Sequence, residues 1–205
     1  MTGGINSSLR RFMEMLHTVG TIVRCRRLGL GGNLGEVGVA LPSDLNVREG
    51  VVRFSAPFTH SQIQACDDLS LQTKNDMPLG SPLLSGDWYE LNVDVWIWCC
   101  SRRAIAMMIT QSENSFYWLD EVMEGVSGPP VPCLNSYRII GVWVAEPFRG
   151  TGISSRIVHA AARYLRVEPK GFVHSPPFSC SGIKFAEKWS SGRVRIDRPT
   201  NPLFC

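Results

Sequence analysis

One stretch in the second half of the chain decides the fold, and it reads Val142-Trp143-Val144-Ala145-Glu146-Pro147-Phe148-Arg149-Gly150-Thr151-Gly152-Ile153-Ser154. The apolar run at its start predicts a strand, and the pattern after its last glycine predicts a helix. Gly150 and Gly152 have no side chains, so their backbone N–H groups can approach an anion closely. The first turn of the helix adds further N–H groups and the positive end of the helix dipole. With the charge of Arg149 and the hydroxyls of Thr151 and Ser154, the stretch predicts a loop that binds pyrophosphate.

Two other kinds of glycine loop fit the sequence less well. The loop lacks the Gly-Lys-Ser/Thr ending of a Walker loop, and it follows an antiparallel pattern instead of opening a βαβ unit. A second glycine-rich stretch, Gly29–Gly35, follows a predicted strand, but Gly38 and Pro42 interrupt the helix that a dinucleotide-binding turn requires. A dinucleotide-binding enzyme that uses Gly29–Gly35 therefore ranks last among the candidate functions.

The residues on either side of the loop predict a mixture of strands and helices. Strict alternation of apolar residues predicts an antiparallel meander, whose strands begin at Trp88 and cover Ala104–Thr110, Ser115–Val122 and Tyr137–Val144. Turns are expected at Cys100–Arg103 and Gln111–Asn114, with a loop at Gly125–Pro132. Helical spacing predicts helices over Thr59–Leu71, Ile153–Leu165 and Ser179–Trp189, and short strands are expected at Val51–Phe54, Gly171–His174 and Arg193–Ile196.

Composition limits the class of protein. The chain has 205 residues, of which 44% are hydrophobic and 19% charged, so it can bury a core and is neither a disordered tail nor a charged coiled coil. The formal net charge of +3 permits an anionic ligand but does not require nucleic acid. No apolar run is long enough to span a bilayer, no secretory signal is expected, and the cysteines do not form a disulfide scaffold. The four histidines lack metal-ligand spacing. We therefore expect a cytoplasmic protein without a metal site or a membrane partner.

The loop and its surroundings resemble one family. Arg149-Gly150-Thr151-Gly152-Ile153-Ser154 resembles the Arg/Gln-x-x-Gly-x-Gly/Ala loop of the GNAT superfamily, the acetyl-CoA-dependent N-acetyltransferases. Glu146-Pro147-Phe148 before it and Phe185-Ala186-Glu187-Lys188 after it also resemble family motifs. The resemblance covers about a quarter of the chain, 137–189. The chain departs from the family at Ser154, where a glycine or alanine is usual, and at Ala186, where many members have a tyrosine that protonates the leaving thiolate.

The resemblance implies a single α/β domain of GNAT type, 1–205, with a mixed, mainly antiparallel twisted sheet flanked by helices. Residues 87–198 would form the sheet and the acyl-CoA-binding core. Residues 1–86 form a divergent N-terminal region that we expect on the acceptor side.

The implied function is an acyl-CoA-dependent N-acyltransferase, which moves an acetyl or similar acyl group directly from acetyl-CoA, its co-substrate, to an amine. In that case the loop N–H groups of 149–154 hold the pyrophosphate, and the edge of the strand at Val142 and Val144 pairs with the pantetheine amides. A backbone N–H near Val144 would polarise the thioester carbonyl. The acceptor amine is left open among a small molecule, a protein, an aminoacyl-tRNA and a nucleobase. A non-catalytic CoA-binding or regulatory module is the alternative, and a homodimer is also left open.

Three side chains are candidates for the catalytic acid or base. His174 ends the short strand after the loop helix, and an ordinary histidine pKa of about 6.5 suits a base at neutral pH. Glu121 lies on the predicted third strand of the meander and Tyr137 at the start of the fourth. The competing interpretations are a histidine packed against the Pro176-Pro177 turn, a solvated carboxylate and a half-buried tyrosine of the sheet.

Overall fold

The structure is a computed structural model that describes residues 37–47, 49–74, 82–123, 128–176 and 179–195. Within these ranges one sheet is formed by β1 Val39–Ala40, β2 Gly50–Ser55, β3 Val93–Cys100, β4 Arg103–Trp118, β5 Val131–Val144, β6 Val173–His174 and β7 Arg193–Val194. The α-helices are α1 His60–Thr73, α2 Leu119–Met123, α3 Ile153–Leu165 and α4 Cys180–Ser190. The prediction of a mixed, mainly antiparallel sheet flanked by helices is confirmed.

The sheet has the strand order β2-β3-β4-β5-β6-β7, and β1 pairs with the start of β4. Neighbouring strands are antiparallel from β2 to β5, whereas β5, β6 and β7 are parallel. The far end of β4 also pairs with β7, through Tyr117 opposite Val194. Strands β4 to β7 therefore close into a ring.

Helix α3 packs its apolar stripe against the sheet. Ile153, Ile157, Val158, Ala161 and Ala162 are all buried, and their spacing of three and four residues produces the bounds that the sequence predicts. On the sheet, the rings of Trp96 and Trp98 face this helix, where they contact Tyr164 and Arg156.

The predicted turn at Gln111–Asn114 is wrong, because β4 runs through it without a break. The pairing with β5 shifts between Glu113 and Ser115, and this irregularity gives the polar residues partners within the sheet. Glu113 Oε2 lies 3.6 Å from Arg138 Nε and 3.8 Å from Arg195 Nε. Glu113 therefore lies in a partly buried ion-pair cluster of the sheet, while its neighbours Ser112 and Asn114 are exposed on the same strand.

Other boundaries differ from the prediction at the ends of strands. Trp88–Glu90 forms a single 3-10 turn before β3, and the Trp88 indole N–H donates to Asp67 Oδ1 at 2.6 Å. β5 begins at Val131, inside the predicted loop. β4 ends at Trp118, so Glu121 lies on the short helix α2 and not on a strand.

The N-terminal part of the chain is described from residue 37 onward, and the glycine-rich stretch Gly29–Gly35 lies outside the described residues. Strands β1 and β2 and helix α1 belong to the region predicted for the acceptor side, yet both strands pair into the main sheet. The assignment of that region to the acceptor stays a prediction.

Gly141 on β5 is in close contact with Leu83. A Cβ atom added to Gly141 would lie 2.2 Å from Leu83 Cδ1. The segment that contains Leu83 is held by side chains of α1. Leu83 N donates to Thr73 Oγ1 at 2.9 Å, and Leu84 N donates to Ser70 Oγ at 2.6 Å.

We predict that Gly141→Ala lowers the free energy of unfolding by about 1–3 kcal/mol, because the new methyl group displaces Leu83. Urea denaturation measures this change. The cost should be smaller in a Leu83→Ala background, as a double-mutant cycle tests. Gly171→Ala is the matched control, since its Cβ would meet only Glu168 Cβ at an ordinary 3.7 Å. Equal costs at Gly141 in both backgrounds would contradict the proposed clash.

Candidate functional site

A cleft opens where β5 and β6 separate. The two strands pair only through Arg138 with Val173 and Ile139 with His174, and Ser175 N donates to Ile139 O at 3.0 Å. β6 then ends, whereas β5 continues to Val144. The cleft between them has a volume of about 620 Å³.

A bulge in β5 sets the phase of this strand along the cleft. Ile109 of β4 pairs with Gly141, and its neighbour Thr110 pairs with Ile139. Ile140 is therefore an extra residue in β5. The bulge moves the backbone groups of the following residues by one position relative to an unbroken ladder.

The backbone of Val142 and Val144 faces the cleft as a result. Ala145 N donates to Ile105 O of β4 at 2.9 Å, so alternation along the strand directs Val142 and Val144 away from β4. The loop itself confirms this direction, because Arg149 Nε donates to Val144 O at 3.0 Å.

The backbone of the loop requires glycine at Gly150 and Gly152. Their φ angles are +74° and +85°, a left-handed backbone that favours glycine, and a Cβ at either position would meet no neighbour within 4 Å. Thr151 Oγ1 donates to the carbonyl of the buried Phe148 at 2.5 Å, which holds the loop to the core.

Helix α3 begins at this loop without a side-chain cap. Its N-cap residue is Gly152, and no side chain accepts a hydrogen bond from the first turn. By contrast, Thr59 caps α1 and Ser179 caps α4. The N–H groups of Ile153 and Ser154 thus meet the cleft without an acceptor supplied by a capping side chain.

The charge along the cleft is positive. Arg149 and Lys188 both line it, and Lys188 Nζ lies 3.4 Å from Ser155 Oγ. Among the described residues that line the cleft there is no aspartate or glutamate. The arrangement is suited to a ligand that carries several negative charges.

His174 lies at the end of the cleft farthest from the loop. It is 3% exposed, and its ring meets Phe185 edge-on with a centroid distance of 5.5 Å. Burial lowers the pKa of His174 to about 3, so the imidazole is neutral at pH 7. Its Nε2 atom has no hydrogen-bond partner in the described part of the chain.

The structure does not bring the other two predicted catalytic residues to this cleft. Tyr137 is the seventh residue of β5 and lines a second cleft of about 300 Å³. Arg53 and Tyr164 also line that cleft, and Arg53 donates to Tyr164 Oη at 2.8 Å and to Asp94 Oδ1 at 2.6 Å. Glu121 is exposed on α2 and lines neither cleft.

Sequence reasoning missed Lys188 and the bulge at Ile140. Lys188 reaches the cleft because α4 packs beside α3, where Trp189 meets His159 with a centroid distance of 5.2 Å. Only the amphipathic spacing of α4 pointed to that contact. The signal for the bulge is the neighbouring Gly141, since an isolated glycine within a strand often marks one.

In the described ranges, no three His, Cys, Asp or Glu side chains are grouped as a metal ion would require. None of the helices in those ranges combines the length and the apolar character needed to cross a membrane.

The low pKa of His174 predicts a pH dependence of stability. The unfolded chain binds a proton at this residue below about pH 6.5, whereas the folded chain does so only below about pH 3. Stability from this source is therefore complete above pH 6.5 and falls by about 1.4 kcal/mol per pH unit as the pH decreases toward 3. Urea denaturation at pH 7 and pH 5 measures the loss. His174→Phe and His174→Gln should both reduce it, and an unchanged slope in both variants would contradict the prediction.

The chain is similar to a known protein in its structure and not in its sequence. No protein-family model matches the chain, and no curated protein matches its sequence. The solved structure of the xEco2 acetyltransferase domain, bound to a CoA conjugate, matches with a TM-score of 0.58 and 14% sequence identity. The match covers 75% of this chain and 97% of that domain. At this level of identity the likeness concerns the fold, and the chain has the mixed α/β fold of an acetyltransferase domain.

Proposed function

We propose that this protein is an acyl-CoA-dependent N-acyltransferase, which transfers an acetyl or similar acyl group from CoA to an amine. The observation that carries the proposal is the cleft between β5 and β6. At one end it has an uncapped helix and two cations, along one side it has an open strand edge, and at the other end it has a buried histidine. The likeness in fold to an acetyltransferase domain bound to a CoA conjugate supports it.

The loop end of the cleft is suited to the pyrophosphate of CoA. The N–H groups of Gly150, Gly152 and the first turn of α3 supply donors, and the helix dipole favours an anion there. Arg149 and Lys188 add two positive charges beside these donors. Ile153 and Ser154 belong to this first turn of α3. The N–H groups of Arg149 and Thr151, which the sequence also predicts as donors, are already used within the loop, since they donate to Glu146 O at 3.1 Å and to Phe148 O at 3.3 Å.

The edge of β5 is suited to the pantetheine arm. Val142 presents a backbone N–H and a C=O toward the cleft, so an extended arm with amides can pair with it as an added strand does. The carbonyl of Val144 already accepts from Arg149 Nε at 3.0 Å, which leaves the Val144 N–H for the arm. Because Val144 is the end of the edge nearest the loop, we assign the thioester to the deeper end, beyond Val142, and not to the N–H near Val144 that the resemblance implies.

The transfer itself forms a C–N bond between the amine and the acyl carbon and breaks the C–S bond of the thioester. The amine must lose a proton, and the sulfur of CoA ends with one. A histidine with a pKa of about 3 is a poor base for an ammonium group, so we do not assign the base role to His174. Tyr137 and Glu121 stay predictions of acid–base catalysis, without contact with this cleft to support them.

A non-catalytic CoA-binding module is the second candidate function. The lack of a carboxylate among the described residues that line the cleft, together with a neutral His174, favours it. The acceptor amine, a homodimer and a cytoplasmic location stay predictions from the sequence.

The proposal predicts that acetyl-CoA stabilises the protein through the loop. At about 100 times the dissociation constant, binding adds about 2.7 kcal/mol, which raises Tm by about 5–10 °C for a chain of this size. Arg149→Glu and Gly152→Glu should each abolish the rise, because they place a negative charge beside the pyrophosphate. Differential scanning fluorimetry measures both.

Two variants serve as controls for that experiment. Arg163→Glu makes the same change of charge near the other end of α3 and should keep the rise. Gly152→Ala introduces the backbone strain of a left-handed residue, about 1 kcal/mol, without the charge. A rise that survives both glutamate variants means that the pyrophosphate does not lie at the loop, and no rise in the wild-type protein rejects CoA binding.

Release of free CoA separates the enzyme from the module. With acetyl-CoA and a panel of amines that includes lysine-rich peptides and polyamines, the enzyme should release CoA thiol in proportion to acetylated amine. Tight binding of acetyl-CoA without transfer to any amine of the panel would favour the module.

A further inference from the structure

Helix α3 carries a row of positive charges on its exposed side. Arg156 and Arg163 are two turns apart and share one face of the helix, and Arg166 ends it. The helix itself contains no aspartate or glutamate, and beyond it the exposed Glu168 is offset by Lys170. Within the described ranges, none of the three arginines forms an ion pair with a carboxylate. An anion outside the molecule can therefore pair with these charges.

Exposed carboxylates are grouped on the opposite side of the sheet. Helix α1 packs there, because a Cβ at Gly141 would meet Leu83, which α1 holds. The next residue, Val142, shares the α3 face of the sheet with Met108 and Trp96. The exposed carboxylates on the α1 side are Asp67, Asp68, Asp87 and Glu90. A polyanion is therefore attracted to the α3 side and repelled from the α1 side.

An exposed aromatic ring lies at the end of the row of arginines. Tyr164 is 59% exposed. Arg53 Cζ lies 4.3 Å from the centroid of its ring, and Arg53 Nη1 donates to its hydroxyl at 2.8 Å. The ring of Trp96 meets it edge-on at a centroid distance of 5.8 Å. These contacts hold the ring in place although most of it faces water. A fixed ring beside positive charges is an arrangement on which the bases of single-stranded nucleic acids stack.

The second cleft, of about 300 Å³, opens beside this ring. Its floor lies on the α3 face of the sheet, where Asp94 is opposite Thr110. Two residues further along β4, Ser112 is opposite Tyr137. Asp94 accepts from Arg53 at 2.6 Å, so its charge is neutralised. Ser112 is exposed and Tyr137 half-buried, so their hydroxyl groups can be reached from solvent. A cleft at the small end of the range for ligand pockets, with such groups, is suited to one polar ring.

We propose that the outer face of α3 binds single-stranded nucleic acid. Arg156, Arg163 and Arg166 bind its phosphates, and one of its bases stacks on the ring at the mouth of the second cleft. Arg156 and Arg163 are about 10 Å apart along the helix axis, a length over which a strand presents two or three phosphates. An acidic peptide would satisfy the arginines but has no base for Tyr164. The second cleft shares no described lining residue with the cleft between β5 and β6, so this site is separate from the proposed acyl-CoA site.

The test measures the binding of a fluorescently labelled oligothymidylate of about 12 nucleotides by anisotropy. An abasic strand of the same length keeps the phosphates and lacks the bases, and polyglutamate supplies negative charge alone. We expect a dissociation constant for the oligothymidylate between about 10⁻⁶ and 10⁻⁴ M at moderate salt. Because three phosphate contacts each release about 0.7 of a counterion, the logarithm of this constant should rise with the logarithm of the salt concentration with a slope of about 2.

The variants separate the phosphate contacts from the base contact. Arg163→Ala and Arg166→Ala should each weaken the binding of both strands severalfold and lower the salt slope by about 0.7. Tyr164→Ala should weaken the binding of the oligothymidylate by about tenfold without changing the slope, and should leave the abasic strand unaffected. Tyr164→Phe keeps the ring and should bind as the wild-type protein does. Lys74→Ala removes an exposed charge at the end of α1 and is the matched control, which should change nothing.

Four results would overturn the proposal. They are a wild-type protein that binds no oligothymidylate, one that binds the abasic strand or polyglutamate as tightly, arginine variants that bind as the wild-type protein does, and displacement of the strand by acetyl-CoA, which would place the strand at the glycine loop. Binding that acetyl-CoA leaves unchanged supports the proposal. Should Tyr164→Ala not fold, the comparison of the oligothymidylate with the abasic strand decides. A protein that fails to bind CoA can still bind the strand, so failure of the proposed function is a distinct result.

Discussion

The separation of β5 from β6 is the constraint on which the site depends. Parallel pairing ends after Ile139 and His174, and the bulge at Ile140 then turns the backbone of Val142 toward the space that results. Without the bulge, the opposite set of backbone groups would face the cleft. The glycine loop and the uncapped start of α3 border the same space, because they follow directly from the end of β5. A break in one ladder of hydrogen bonds thus opens the strand edge and brings the glycine loop and the buried histidine to the same cleft.

The longer helices α1, α3 and α4 were predicted well because their signals are local, whereas the short helix α2 was predicted as part of a strand. The apolar stripe of Ile153–Leu165 follows from its spacing alone. The predicted helices Thr59–Leu71 and Ser179–Trp189 begin at the residues that cap α1 and α4 in the structure. β4 was divided into two strands because Gln111–Asn114 has the composition of a turn. Glu113 in this stretch forms ion pairs with Arg138 on the next strand and with Arg195, which is 82 residues away along the chain. Pattern within a window of residues cannot reveal an ion pair that only the folded sheet assembles.

The parts of the site that depend on local sequence were also predictable, whereas those that depend on packing were not. Gly150 and Gly152 were identified because two glycines before a predicted helix let backbone N–H groups approach an anion, and the structure gives both residues positive φ angles. His174 was identified by its place in the order of elements, but its burial and hence its low pKa depend on α4, which sets Phe185 against it. Tyr137 and Glu121 were chosen by sequence position, and a bulged strand and a short helix direct them elsewhere. Side-chain direction after an irregularity in a sheet does not follow from spacing.

The ring formed by β4, β5, β6 and β7 limits how far the cleft can change its width. β6 is tied to β5 on one side and to β7 on the other, and β7 is tied back to β4, which itself pairs along β5. Widening the deep end would break strand pairs on at least one side of this ring. If the proposed acyl-CoA binds with its acyl group at this deep end, a short acyl chain would fit against a wall that the ring holds in place, and each added methylene group would need room elsewhere. Discrimination among donors by chain length would then be a property of sheet topology more than of any one side chain.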